Sequence, residues 1–190
     1  LELFFPLKPF WINQGFGENP DKYKELGLAG HNGLDCFAIR GQVVRASHDG
    51  LVTFTGEDGK GGSGVVIRTN EPREYKDGQA YAKTIYWHLI PNIPVKAGQQ
   101  VKVGDVIGYA ANTGWSFGDH LHFGLKFTSK GEADWQWSNL EAGNGYFGAV
   151  DPVPYLSKIS AEDYVSVSNQ LKLLFEKVAN LLKLLKLYGK

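Results

Sequence analysis

The sequence predicts a mainly β fold, an antiparallel, sandwich-like sheet followed by a C-terminal amphipathic α-helix. Three observations predict it. Almost all of the 24 glycines fall in the first 150 residues. Short runs rich in valine, isoleucine and aromatics alternate there with turn signals. No gap between Gly33 and Phe127 carries a helical period long enough for a crossover helix, so neighbouring strands are expected to run antiparallel.

The expected strands are Gly33–Ile39, Val43–Arg45, Gly50–Thr55, Gly64–Thr69, Tyr81–Leu89, Val106–Ala110 and His120–Phe127. Turn pairs separate them: Asp49-Gly50, Asp58-Gly59, Asp77-Gly78, Pro91-Asn92 and Ala97-Gly98. The segment Trp135–Phe147 reads as a loop beside a site or a surface cover. Pro152 and Pro154 then stop regular structure and close a domain over residues 1–156. Residues 157–190 change character. Ser160 with Asp163 fits a helix start, and Val167, Leu171, Leu174, Val178, Leu181 and Leu185 form one apolar stripe. Lys172, Lys177, Lys183, Lys186 and Lys190 suit the negative end of that helix. Such a helix packs on the domain, pairs with a second copy of itself, or serves as a linker or membrane-surface segment.

Composition narrows the function classes. Twenty basic residues balance 20 acidic ones, which gives no support for a nucleic-acid partner. Cys36 is the one cysteine, which excludes an intrachain disulfide. No run of about 18 apolar residues exists, so no membrane span is expected. The sequence starts at Leu1 without a methionine, so the natural start, with any signal or anchor, is expected upstream.

The histidines carry the chemistry. In Gly118–Leu125, GDHLHFGL, strand alternation puts His120, His122 and Gly124 on one face and Leu121, Phe123 and Leu125 on the other. The second face is core. The first, with two imidazoles, reads as a site or an open surface. Upstream, His31 and Asp35 in HNGLD share a face of an extended chain, and imidazole with carboxylate is a usual zinc-ligand pair. In Tyr86-Trp87-His88-Leu89, alternation groups His88 with Ala82, Thr84 and Tyr86 on the less apolar face. His48, before Asp49-Gly50, reads as a turn residue rather than a ligand.

In this order, HNGLD, YWHL and HLH resemble the signature of peptidase family M23, the zinc metallopeptidases of the lysostaphin and LytM type. The flanks Gln14–Gly17, Gly30 and Thr113–Ser116 match as well, as does the valine- and glycine-rich run from Val95 to Gly108. The likeness covers roughly residues 12 to 156. It departs at Phe117-Gly118-Asp119, where Thr-Gly-Pro is common. The resemblance implies that His31, Asp35 and His122 bind one Zn²⁺, and that His88 and His120 stand beside it. Three protein ligands leave a fourth position for water, as a catalytic zinc needs. One of His88 and His120 then moves the water's proton while the other faces the oxyanion. His120 is expected as the base, because the residue two further on is a ligand. Family members often add a tyrosine hydroxyl ahead of the first ligand, where Tyr23 stands. Asn13 and Gln14 lie in a leader segment within reach of the metal.

The implied substrate is a peptide cross-link or stem of bacterial peptidoglycan, often cut at glycine. Trp115, Phe117, Trp135 and Trp137 line its groove or pack their own loops. The implied place is the periplasm, the cell wall, the medium or a phage particle. Two rival readings stand beside this one. A non-catalytic relative of the same fold binds peptidoglycan or activates another hydrolase. A biotinyl or lipoyl carrier, or a phosphocarrier, shares the motif from Val95 to Gly114. No lysine-bearing hairpin sits where a carrier needs it, and a phosphocarrier has no use for Asp35.

Overall fold

The structure is a computed structural model that describes residues 1–129 and 140–157. The chain begins with a short edge strand β1 (Ile12–Gln14), then one helical turn α1 (Pro20–Tyr23) with proline in its first turn. Strands β2 (Leu34–Phe37), β3 (Val43–Arg45), β4 (Gly50–Asp58), β5 (Gly62–Thr69) and β6 (Arg73–Tyr75) follow. Then come β7 (Gly78–Leu89), β8 (Gln100–Val101), β9 (Val106–Tyr109), β10 (His120–Thr128) and β11 (Ala149–Val150). All seven expected strands form, with ends shifted by a few residues. Four short strands, β1, β6, β8 and β11, carry too few residues for an alternation signal.

The large sheet runs β1-β2-β10-β7-β5-β4-β8, with β11 beside β10 and β6 beside β7, while β3 and β9 form a separate pair. Every pairing between these strands is antiparallel. The core lies on one face of the large sheet. Leu34, Cys36, Val65, Ile67, Ala82, Tyr86, Leu121, Phe123, Leu125 and Phe127 point there and meet Val44 and Ile107 of the β3–β9 pair. These side chains are fully or almost fully removed from water. That burial pins the register of β10, because a slip by one residue would put its imidazoles in the core and Phe123 in solvent.

Strand β7 departs from the alternation expected of it. Ala82 and Tyr86 belong to the core rather than to the face of His88. Against β5 the register jumps from Val65↔Tyr86 to Ser63↔Leu89, so Trp87 and His88 together stand opposite Gly64. This is a β-bulge, and His88 takes the left-handed φ of 66° that it demands. Two consecutive side chains thereby leave the core face, and Leu89 returns to it. His48 sits in the bend before β4, as expected, but it is buried and bonds the Thr84 hydroxyl at 2.9 Å, a role in packing. The expected helix from Ser160, with the appendage from Lys158 to Lys190, lies outside the described residues, as do Trp135 and Trp137.

Truncation of Phe123, at the centre of this core, is expected to cost about 3–5 kcal/mol. Urea denaturation of Phe123→Ala reads that loss. A cost below about 1 kcal/mol would mean that β10 does not anchor the core.

Candidate metal centre

On the face opposite the core, antiparallel pairing of β2 with β10 sets Asp35 opposite His122 and Phe37 opposite His120. His31 precedes β2 and is held by the backbone of the preceding loop: Gly17 N–H donates to its carbonyl, and its own N–H donates to Glu18. Three ligand-type atoms converge. His31 Nε2 lies 3.1 Å from Asp35 Oδ1 and 3.0 Å from His122 Nδ1, and His122 Nδ1 lies 3.1 Å from Asp35 Oδ1.

Proton placement tells what such a triangle wants. His31 Nδ1–H donates to the Gly15 carbonyl at 3.1 Å, which leaves Nε2 with its lone pair. That lone pair faces a carboxylate oxygen and a second imidazole nitrogen. Three electron-rich atoms at this spacing repel one another unless a cation sits among them. Bonds of roughly 2.0–2.2 Å in a tetrahedral shell hold neighbouring donors about 3.3–3.6 Å apart. The triangle needs to open by only a few tenths of an ångström to meet that. The donor set, two imidazoles and one carboxylate, therefore fits a divalent metal of the zinc kind. Gly33 makes room for it: a Cβ there would lie 2.7 Å from His122 Nε2 and 2.8 Å from the Phe123 carbonyl.

His88 and His120 flank the triangle with ring centroids 4.6 Å apart. His88 Nδ1–H donates to the Thr113 carbonyl at 2.6 Å. Burial, and the nearby His122 and His120 rings, hold its pKa down at about 3 despite that bond. His120 has an acceptor at each nitrogen, the Gly118 carbonyl at 2.8 Å from Nδ1 and Asp35 Oδ1 at 3.4 Å from Nε2. Burial alone would lower its pKa, but Asp35 and the Gly118 carbonyl outweigh burial and raise it. Burial likewise works against the Asp35 carboxylate. The three imidazoles around it, His120, His122 and His31, overcome burial and hold that group ionised far below the usual carboxylate range.

An open groove of about 830 Å³ runs over the centre. Tyr23, Trp115 and Phe117 stand on its wall. The Tyr23 ring lies 5.4 Å from that of His31 and meets Trp115 edge-on at 5.8 Å. Trp115 is 42% exposed and Phe117 90% exposed, so packing does not account for Phe117. Gln14 lines the groove and donates its amide to the Tyr23 hydroxyl at 3.2 Å, rather than reaching the triangle. Burial and the Asp35 charge push the Tyr23 pKa up to about 12, against the opposing bond from Gln14. Lys126, two steps beyond Gly124 on the same face, lines the groove as well, and its ammonium donates to the Phe147 carbonyl.

Every described residue singled out from the sequence for this site is thus brought to one groove, while Trp135 and Trp137 lie outside the described residues. The carbonyls of Gly15, Thr113 and Gly118, which orient three of the imidazoles, were not legible, because a backbone acceptor has no residue signature.

Comparison with known proteins agrees with this geometry. The family model described as peptidase family M23 matches residues 29–134. The DD-carboxypeptidase/endopeptidase Mpg of Neisseria meningitidis serogroup B is 40% identical over 93 residues, 49% of this chain and 19% of its own length. The glycyl-glycine endopeptidase ALE-1 of Staphylococcus capitis is 35% identical over 121 residues, 60% of this chain and 30% of its own. The chain spans less than a third of either relative. Among solved structures, the catalytic domain of the antimicrobial peptidase lysostaphin from Staphylococcus simulans superposes with a TM-score of 0.57. It is 28% identical, with 78% of this chain and 92% of that one covered.

If the triangle holds a metal, Gly33→Ala is expected to weaken uptake of added Zn²⁺ by at least about tenfold, because it displaces the His122 ring. Competition with a chromogenic chelator measures this. Unchanged affinity would place the ion elsewhere.

Proposed function

The chain belongs to peptidase family M23, and from that premise we propose that it is a zinc-dependent endopeptidase that cuts peptide bonds of bacterial peptidoglycan. The observation that carries the proposal is the convergence of His31, Asp35 and His122 beside His88 and His120 in one open groove. His31 Nε2, Asp35 Oδ1 and His122 Nδ1 would hold the zinc. When bound, the ion supplies Lewis acidity to the scissile carbonyl and to the attacking water.

The chain's own groups divide the proton work. Two titratable groups whose surroundings push their pKa values apart mark an acid and a base. Neutral His88 keeps its proton at Nδ1, on the Thr113 carbonyl, and presents an empty Nε2. It takes the proton from water. His120, its Nδ1 held on the Gly118 carbonyl and its pKa raised, donates from Nε2 toward the oxyanion and the leaving amine. This assignment reverses the expectation from sequence order, because the hydrogen-bond partner of each ring, and not its distance from a ligand along the chain, sets its tautomer. The raised pKa of Tyr23 keeps its hydroxyl protonated, and the bond accepted from Gln14 leaves the hydroxyl hydrogen for the oxyanion.

Substrate class follows from the groove and the relatives. One relative is named for glycyl-glycine bonds, and an open groove with exposed aromatics suits an extended peptide of small residues. Trp115 and Phe117 would cover that peptide. Such a substrate places the enzyme outside the cytoplasm or on a phage. No helix among the described residues is long and apolar enough to cross a membrane.

Zinc removal by chelation is expected to abolish hydrolysis, and stoichiometric zinc to restore it. His88→Gln and His120→Gln should each lower kcat by about 10²–10⁴-fold with zinc retained, and Tyr23→Phe by less. Either histidine variant at wild-type rate would remove that residue from the mechanism. The wild-type rate should fall on the alkaline side above pH 6.5, the ordinary histidine value, as His120 loses its proton. Digestion of purified walls of differing cross-bridge type, with the new termini identified, tests the substrate. Walls left intact by the zinc-loaded chain would favour a binding or activating role.

A further inference from the structure

His88 lies on a strand of the site, β7, whose regular alternation does not aim it there. Its alternation would send it into the core with Tyr86, and the bulge turns it out instead. A histidine at a positive φ is held there only when its surroundings over-determine it. Five hydrogen bonds do so. His88 N–H donates to Gly61, and Ala111 N–H donates to the His88 carbonyl. The ring Nδ1–H donates to the Thr113 carbonyl. The Thr113 hydroxyl donates to the Leu89 carbonyl at 2.9 Å and accepts the Ser63 N–H at 3.1 Å.

Thr113 is thus the node where three segments meet: the end of β7, the start of β5 and the loop leading to β10. The loop is drawn in closely. Trp115 N–H donates to the Lys60 carbonyl at 2.7 Å. Gly62, at φ 67°, lets the backbones touch, since a Cβ there would lie 2.4 Å from the Thr113 carbonyl carbon.

We propose that Thr113 is a positioning residue for His88: its hydroxyl clamps its own peptide against β5 and β7, so that its carbonyl fixes the His88 tautomer. The inference rests on the reading of His88 as the proton acceptor. The carbonyl holds the ring proton at Nδ1 and leaves Nε2 toward the groove. The hydroxyl bonds on either side stop the carbonyl from turning away. Only a side chain with both a donor and an acceptor at its first branch does this, so serine replaces it and valine does not.

The test uses the full chain loaded with zinc, and compares Thr113→Val, Thr113→Ser and His88→Ala with wild type. Long-range ¹H–¹⁵N NMR reads the tautomer of His88, its signals being those lost in His88→Ala. The wild type is expected to show the proton on Nδ1. Thr113→Val is expected to lose about 10²-fold in kcat on a cross-bridge peptide. Its KM and bound zinc should stay within about twofold, and its His88 signals should become a mixture of tautomers. Thr113→Ser should restore both readouts. A wild-type proton on Nε2, or a Thr113→Val protein with kcat and tautomer unchanged, overturns the proposal. Should Thr113→Val fail to fold, Thr113→Ala and the wild-type tautomer decide by the same criteria. Hydrolysis by His88→Ala at wild-type rate would instead sink the role of His88 as base, and the NMR pattern would still decide whether Thr113 sets its tautomer.

Discussion

The pairing of β2 with β10 is the constraint on which the site depends. Two antiparallel strands bring residues 87 positions apart to face each other, Asp35 against His122. Side chains directly opposite in such a pair have Cβ atoms about 5 Å apart, close enough to share a ligand. The backbone ladder carries this placement, not the polar side chains themselves. The register in turn is held from behind, by Leu121, Phe123, Leu125 and Phe127 buried on the other face of the same strand. Apolar burial on one side thus fixes chemistry on the other.

The same sheet solves a second problem by breaking its own rule. His88 stands beside the triangle from the neighbouring strand β7, where straight alternation would bury it. The bulge at Trp87 and His88 re-aims one side chain at the cost of a strained φ. That strain is held by hydrogen bonds from the loops at the end of the sheet, and these loops also carry Trp115, Phe117 and the acceptor for His120. Strands therefore place Asp35, His120 and His122, while loops supply His31 and the carbonyls that hold the rings. The usual division between scaffold and function holds here with the bulge as its hinge point.

Electrostatics follows from the partners rather than the residue types. His88 and His120 are chemically the same and lie side by side. Burial and two neighbouring imidazoles hold one neutral. A carboxylate and a carbonyl, one at each nitrogen, raise the pKa of the other despite burial.

Much of this was legible in the amino-acid order. Period-two alternation in His120–Phe127 separates core from site face without any coordinates, because a strand without a bulge sends neighbouring side chains to opposite sides. The turn pairs and the absence of a crossover helix led to an antiparallel sheet for the same local reason. HNGLD, YWHL and HLH named the groups of the centre. The local pattern was silent on which strands would pair, and it misread β7, since a bulge is set by the partner strand and leaves no mark on its own. It was equally silent on the Gly15, Thr113 and Gly118 carbonyls, which every residue type possesses. The sequence by itself determined the fold class, the core face of β10 and the inventory of ligand-type side chains, because these depend on local periodicity and residue chemistry. Only the tertiary structure decided the register of β2 on β10, the turning of His88 and the hydrogen-bond partners of the imidazoles, because each depends on which segments the fold brings together.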